Sequence, residues 1–281
     1  MIDFKITLAS LLSSRVYIQS SKPTKLRKKK SIQFVQRFAF SFSPLFFFSF
    51  FSFSQSFFRI FKDLFPQSQP QQTRHEAISI LNSLLKKYTD GIKKKKKTPK
   101  LKNTKITNTK INKKLVIKEF DHDFVFGYIQ TIDSERDPRN LMLIFETTEY
   151  IVKNLKGFTR FTEDLFDVTS CYYPVNFTPK ENDLITKEML SNALKNALTS
   201  TPFFAPHLFP FLLEKLSGSL LDAKIETLHT ICHSIFCFDP SHFAPFSLEL
   251  WNSLRDEIFT STEPLLIQEA TDSIFRITKR L

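Results

Sequence analysis

A tripeptide recurs in this chain. Phe204-Ala205-Pro206 returns 39 residues later as Phe243-Ala244-Pro245. Each copy opens an apolar run at helical spacing: Leu208, Phe211, Leu212 and Leu216 after the first, Leu250, Trp251, Leu254 and Ile258 after the second. A break and a further helical pattern follow each run. The first partner pattern is Leu221, Ile225, Leu228, Cys232 and Ile235; the second is Ile267, Ala270, Ile274, Ile277 and Leu281. A unit of two amphipathic helices cannot bury its apolar faces alone, so successive units must stack.

Paired helices at a period of about 40 residues are the signature of HEAT or armadillo arrays. The expected fold class is therefore all-α, a HEAT-type α-solenoid fragment over 119–281. Upstream of the recurrence the pattern is the same. Asp137-Pro138 combines an N-cap carboxylate with proline at the first helical position, and Leu141, Ile144, Phe145, Thr148, Ile151, Val152 and Leu155 form one stripe before Gly157. A second helix is expected over 159–171, with Phe161, Leu165, Phe166 and Val168 inside. Pro174 and Pro179 make 172–183 a loop, and a third helix starts near Thr186, with Met189, Leu190, Ala193, Leu194, Ala197 and Leu198 on its stripe. No stretch alternates apolar and polar residues over a strand's length, and the chain has only four glycines, which argues against turn-rich β folds and glycine-rich phosphate loops. The last stripe is still open at Leu281. A solenoid needs a polar-faced capping repeat, so the expectation is a fragment of a longer array.

The net charge of +12 conceals a split. Residues 1–118 hold 26 of the 40 Lys and Arg but 4 of the 28 Asp and Glu, a surplus of 22 positive charges. Residues 119–281 hold 14 basic and 24 acidic residues, a surplus of 10 negative charges, so the overall charge is not evidence of nucleic-acid binding by the helical part. The basic half is compositionally biased. Residues 1–72 are expected to be low-complexity and either unstructured or non-coding sequence retained in the reading frame. They contain the run Lys25-Leu26-Arg27-Lys28-Lys29-Lys30 and a Phe- and Ser-rich, uncharged stretch at 38–58. That stretch is long enough to span a bilayer but lacks the aliphatic residues most spans use. It supplies the alternative reading, a helical scaffold anchored in a membrane. Residues 73–91 read as an isolated amphipathic helix, capped by Thr73, striped by Ala77, Ile80, Leu81, Leu84, Leu85 and Tyr88, and ended by Gly91. Residues 92–118, with Lys93 to Lys97 and a Lys/Thr/Asn/Ile near-repeat, are expected to be a disordered linker. Such lysines attract phosphate without specificity, and no base-reading fold accompanies them.

Three constellations could carry chemistry. His229, Cys232, His233 and Cys237 lie within a few turns of one helix and include zinc-ligand residue types. A buried cysteine on the Leu228–Ile235 stripe is the plainer interpretation. Glu163, Asp164 and Asp167, and the pair Asp256-Glu257, could do acid–base work if burial separated their pKa values, but on amphipathic helices such groups form a solvated face. No Ser-His-Asp order, nucleophile elbow, phosphate loop or His-Glu-x-x-His is present. The residues themselves assign no catalytic, cofactor-binding or metal-binding position. Three cysteines, an odd number, imply no disulfide framework and a reducing compartment. Asn176-Phe177-Thr178 matches the short glycosylation pattern.

Longer runs carry a resemblance. Asp123-Phe124-Val125-Phe126-Gly127-Tyr128-Ile129-Gln130, Asp137-Pro138-Arg139-Asn140-Leu141, and Glu163-Asp164-Leu165-Phe166-Asp167-Val168-Thr169-Ser170-Cys171-Tyr172-Tyr173-Pro174 are similar to the N-terminal region of a eukaryotic HEAT-repeat family. The similarity continues at Phe177-Thr178-Pro179, Ser200-Thr201-Pro202 and Leu250-Trp251. That family is named for methyl-methanesulfonate sensitivity and nucleotide excision repair, and is the large adaptor of the cytosolic iron–sulfur assembly targeting complex. The resemblance implies a non-catalytic scaffold without a cofactor, in cytoplasm and nucleus. Its implied partners are other cytosolic iron–sulfur assembly factors, whose docking region is absent here, and iron–sulfur apoproteins of DNA replication and repair. The chain departs from the family at 93–118, where lysines stand in place of further helices.

Overall fold

The computed structural model describes residues 124–179 and 184–280, together with His122 and thirteen positions between 71 and 89. The expectations for 1–70 and 92–118, the span at 38–58 among them, fall outside the described residues, as do Thr73, Ala77, Ile80, Leu84 and Tyr88. Every regular element among the described residues is helical.

The first, α1, comprises the helical positions within 71–89, and it buries Ile78, Leu81 and Leu85. It does not stand alone, as the sequence suggested. Arg74 Nη2 donates to Glu135 Oε1 at 3.0 Å, His75 Nδ1 lies 2.8 Å from Asn140 Oδ1, and the Thr89 hydroxyl bonds that of Tyr150. Helix α2 (124–132) buries Phe124, Val125, Tyr128 and Ile132. Its Tyr128 hydroxyl donates to the Ile144 carbonyl at 2.8 Å and lies 2.9 Å from Thr148 Oγ1, which pins α2 to α3 (Pro138–Asn154). As expected, Asp137 caps α3, accepting from Arg139 N at 2.9 Å, with proline at the helix start.

The turn between α2 and α3 is built on two features. Ser134 sits in the left-handed region at φ 63°. Glu135 then folds its buried carboxylate back over the helix start: Oε1 accepts from Arg136 N at 2.9 Å and Asp137 N at 3.0 Å, while Oε2 accepts from Asn140 Nδ2 at 3.0 Å. With Arg74, four donors converge on one side chain, joining α1, the turn and α3.

Three further helix pairs follow: α4 (Thr162–Ser170) with α5 (Lys187–Leu198), α6 (Ala205–Leu216) with α7 (Leu221–Cys237), and α8 (Ser247–Thr260) with α9 (Pro264–Arg280). Helix α5 also packs on α3, α9 on α7, and α8 on α6. Between the α4–α5 and α6–α7 pairs the Phe166 ring of α4 meets that of Phe211 on α6 at 5.8 Å, so each pair rests on its predecessor. The arrangement is a solenoid-like stack of two helical layers.

The recurrent tripeptide has a structural meaning. Phe204 ends a 3₁₀ turn (Pro202–Phe204) at the entrance to α6, and Phe243 ends a helical turn (Pro240–Phe243) ahead of α8. Both rings are fully buried. Each is an anchor for the incoming helix, and burying a side chain of this size contributes about 2–3 kcal/mol. The second copy differs in one respect: a 3₁₀ turn (Ala244–Phe246) delays the start of α8 to Ser247. The register shifts, Leu250 and Leu254 point inward, and Trp251, expected on the core stripe, is 47% exposed. Met189, also expected on a core stripe, is 44% exposed.

The loop after α4 packs onto later helices. Tyr173, buried and joined to Pro174 by a cis peptide bond, places its hydroxyl 3.2 Å from Thr227 Oγ1 and 3.3 Å from Thr230 Oγ1 on α7. Those threonines donate onward to the Ala223 and Glu226 carbonyls, so each buried hydroxyl of this cluster is partnered.

Candidate functional site

Helix α7 carries the strongest sequence candidates, and its geometry separates them. The Cys232 side chain faces inward, with Sγ 3.2 Å from Ser273 Oγ of α9, and burial pushes its thiol pKa up. His229 projects from α7 toward α9, its Nε2 3.2 Å from Glu269 Oε2. His233 Nε2 lies 3.5 Å from Cys237 Sγ, one turn further along. Desolvation, aided by the charge of Lys195, holds His233 below the usual imidazole range. Of the four residues, only His233 and Cys237 meet. Two donors are half of what a tetrahedral zinc site requires. Among the described residues no group of three or more His, Cys, Asp or Glu is placed to hold a metal ion.

The carboxylates divide as well. Glu163 and Asp164 lie exposed in the first turn of α4, where they complement the positive end of the helix dipole, and Asp167 is exposed one turn later. Asp256 is exposed and accepts from Arg255 Nη2 at 2.9 Å. Glu257 is different: it is buried and accepts from Lys224 Nζ at 2.5 Å, an ion pair that ties α7 to α8. The sequence held a signal for this. Position 257 is three residues beyond Leu254 and seven beyond Leu250, on the face both leucines bury. The carboxylates singled out for acid–base work thus share no enclosed site, and they serve as solvated charges or as a cross-helix strut.

What remains is surface. The outward faces of the last three helices carry Phe236 on α7, Trp251 and Phe259 on α8, and Phe275 on α9, all exposed. Glu226 of α7 accepts from the Ser191 hydroxyl of α5, so adjacent pairs are also linked by polar contacts. The arrangement can present rigid helix faces to another macromolecule. Among the described residues no helix is long and apolar enough to cross a membrane.

A family model described as "Dos2-interacting transcription regulator of RNA-Pol-II" matches residues 24–260. The relatives include the "MMS19 nucleotide excision repair protein homolog" of Dictyostelium discoideum, 39% identical over 165 residues, which are 58% of this chain and 15% of the relative. The human protein of the same name is 32% identical over 221 residues, 78% of this chain and 19% of the relative. A "DNA repair/transcription protein" of Saccharomyces cerevisiae is 36% identical over 149 residues, 52% of this chain and 14% of the relative. The chain thus spans less than a fifth of the length of these relatives. Asp137, Pro138 and Asn140, which carried the resemblance in the sequence, are the residues that build the capped and tethered start of α3. The chain belongs to the MMS19 N-terminal family, the Dos2-interacting transcription regulators of RNA-Pol-II.

Proposed function

We propose that this chain is a non-catalytic adaptor module of HEAT type. It acts in cytosolic iron–sulfur protein maturation, recruiting apoproteins of DNA replication and repair in cytoplasm and nucleus. One observation carries the reading: a family whose members are named for nucleotide excision repair and transcription is represented here by stacked helix pairs with exposed faces. Stacked pairs present extended surfaces suited to binding other proteins. The chemistry of the cargo is compatible with an adaptor role. Iron–sulfur clusters are held chiefly by four cysteine thiolates, and this chain has three cysteines, of which Cys232 is buried against Ser273. The cluster belongs to the client in this reading, and the adaptor recognises the folded or folding apoprotein.

The test is affinity purification of the native protein from its own cells, followed by mass spectrometry of the bound fraction. Assembly factors and iron–sulfur enzymes of DNA metabolism are expected among the partners. Recovery of neither, with the product of the full-length transcript as bait, sinks the proposal. Resistance of the same protein to carbonate extraction from membranes would favour the anchored alternative.

A further inference from the structure

We propose that Thr178 is a phosphorylation site for a protein kinase that requires proline after its acceptor. The site does not depend on the adaptor reading. Four Ser-Pro or Thr-Pro dipeptides occur in the chain: Ser43-Pro44, Thr98-Pro99, Thr178-Pro179 and Thr201-Pro202. The first two fall outside the described residues. The other two share the dipeptide and differ in setting. Thr201 is 4% exposed, and its hydroxyl accepts from Phe203 N at 3.4 Å to cap the 3₁₀ turn ahead of α6. Reaching it requires that turn to open. Thr178 and Pro179 are exposed, in a stretch (175–179) with no helix or turn. The chain comes to the surface after the buried Val175, with Asn176 also exposed.

Neighbouring elements fix this loop in place. Tyr172 donates to the Ile132 carbonyl of α2 at 3.3 Å, and Tyr173 reaches Thr227 and Thr230 of α7. The loop therefore sits between helix pairs that are both described, away from the last pair of the stack. Steric clash with the proline ring keeps the preceding residue out of the helical region and in an extended one. A kinase cleft takes its acceptor on an extended segment that it can surround, and 175–179 offers one without unfolding a helix. Proline at the next position has no N–H to donate, so the enzyme must be one whose pocket accepts the ring in place of an amide. In the transfer, Thr178 Oγ1 attacks the γ-phosphorus of magnesium-bound ATP. The bond from that phosphorus to the β–γ bridging oxygen breaks, ADP leaves with the electron pair, and the hydroxyl proton passes to the kinase's catalytic aspartate. The product gives this loop a charge of about −1.5 to −2 at neutral pH.

The substrate for the test is the full chain carrying Ser43→Ala and Thr98→Ala, which removes the two dipeptides outside the described residues. It is incubated with a purified mitogen-activated protein kinase and magnesium ATP, and the sites are mapped by peptide mass spectrometry. A gain of about 80 Da is expected on the peptide holding Thr178. Thr201 should react at least about a hundredfold more slowly, because its turn must open first. Thr178→Ala should abolish the label, Thr178→Ser keep it and Pro179→Ala lose it, each with the helical circular dichroism unchanged. In protein isolated from its own cells with phosphatases inhibited, the same peptide should carry the phosphate. The proposal is overturned by an unlabelled Thr178 in the folded chain, by equal labelling of Thr178 and Thr201, or by labelling that survives Pro179→Ala. A glycan on Asn176 of the cellular protein, where Asn176-Phe177-Thr178 matches the acceptor pattern, overturns it too, as does an unmodified Thr178 there. Any of these results leaves the adaptor reading as it stands.

Discussion

Removing the Glu135 carboxylate strands four donors at once: Arg74 Nη2, the backbone N–H groups of 136 and 137, and the Asn140 amide. Glu135→Ala should therefore lower unfolding stability by about 3 kcal/mol, read by urea denaturation. Tyr173→Phe is milder, because Thr227 and Thr230 keep their carbonyl partners; about 1 kcal/mol is expected from the same measurement. His233 adds a pH dependence. Its folded pKa lies below the ordinary value of 6.5, chiefly through desolvation, so the unfolded chain takes up the proton first as pH falls. Its contribution to stability is whole above the unfolded pKa and declines as pH drops through 6.5 toward the lower folded value. Proton-detected titration of His233 should give a midpoint below 6.5, and His233→Gln should flatten the acid limb of the stability profile. None of these three roles could be foreseen from the sequence, in contrast to the Asp137 cap. Glu135 works by folding back across a turn whose left-handed Ser134 no periodicity reveals.

At the scale of elements, the two recurrent phenylalanines are expected to be the costliest truncations. Phe204→Ala and Phe243→Ala should each lose about 3–5 kcal/mol by thermal or urea unfolding, since both rings are wholly buried. Pro210 works in the opposite direction. It lies exposed inside α6, where it removes one helical hydrogen bond, and Pro210→Ala should raise stability by about 1–3 kcal/mol. The helices from α3 onward were legible because their stripes repeat at 3.6 residues, and two of them carry explicit caps: Asp137 and Thr186 both accept from helix-start amides. The orientation of α8 was not. Periodicity placed Trp251 with Leu250 and Leu254, but a stripe of adjacent apolar positions fits two faces, and the extra 3₁₀ turn after Phe243 decides between them. The cluster on α7 was misleading for a related reason. Residues three to five apart on a helix fan over much of its circumference, and Cys232 turned inward while His229 met Glu269.

At the scale of the molecule, the charge division matters most for behaviour in solution. Residues 119–281 carry a surplus of 10 negative charges, so low-salt retention on DNA should come from the basic tracts alone. Replacing Lys93 to Lys97 with glutamine should weaken that retention and flatten its dependence on salt, measured by filter binding over a salt series. The stacked pairs have another consequence, which concerns time and not binding. Contacts run mainly between a pair and its neighbours, so little of the chain must wait for remote segments to meet. Folding can begin in any pair and spread along the stack, and unfolding can stop partway. Amide exchange should accordingly separate into blocks that follow the helix pairs. A lesion at the α8–α9 pair should accelerate exchange there first, while the α2–α3 pair, held by Glu135 and Tyr128, still protects its amides.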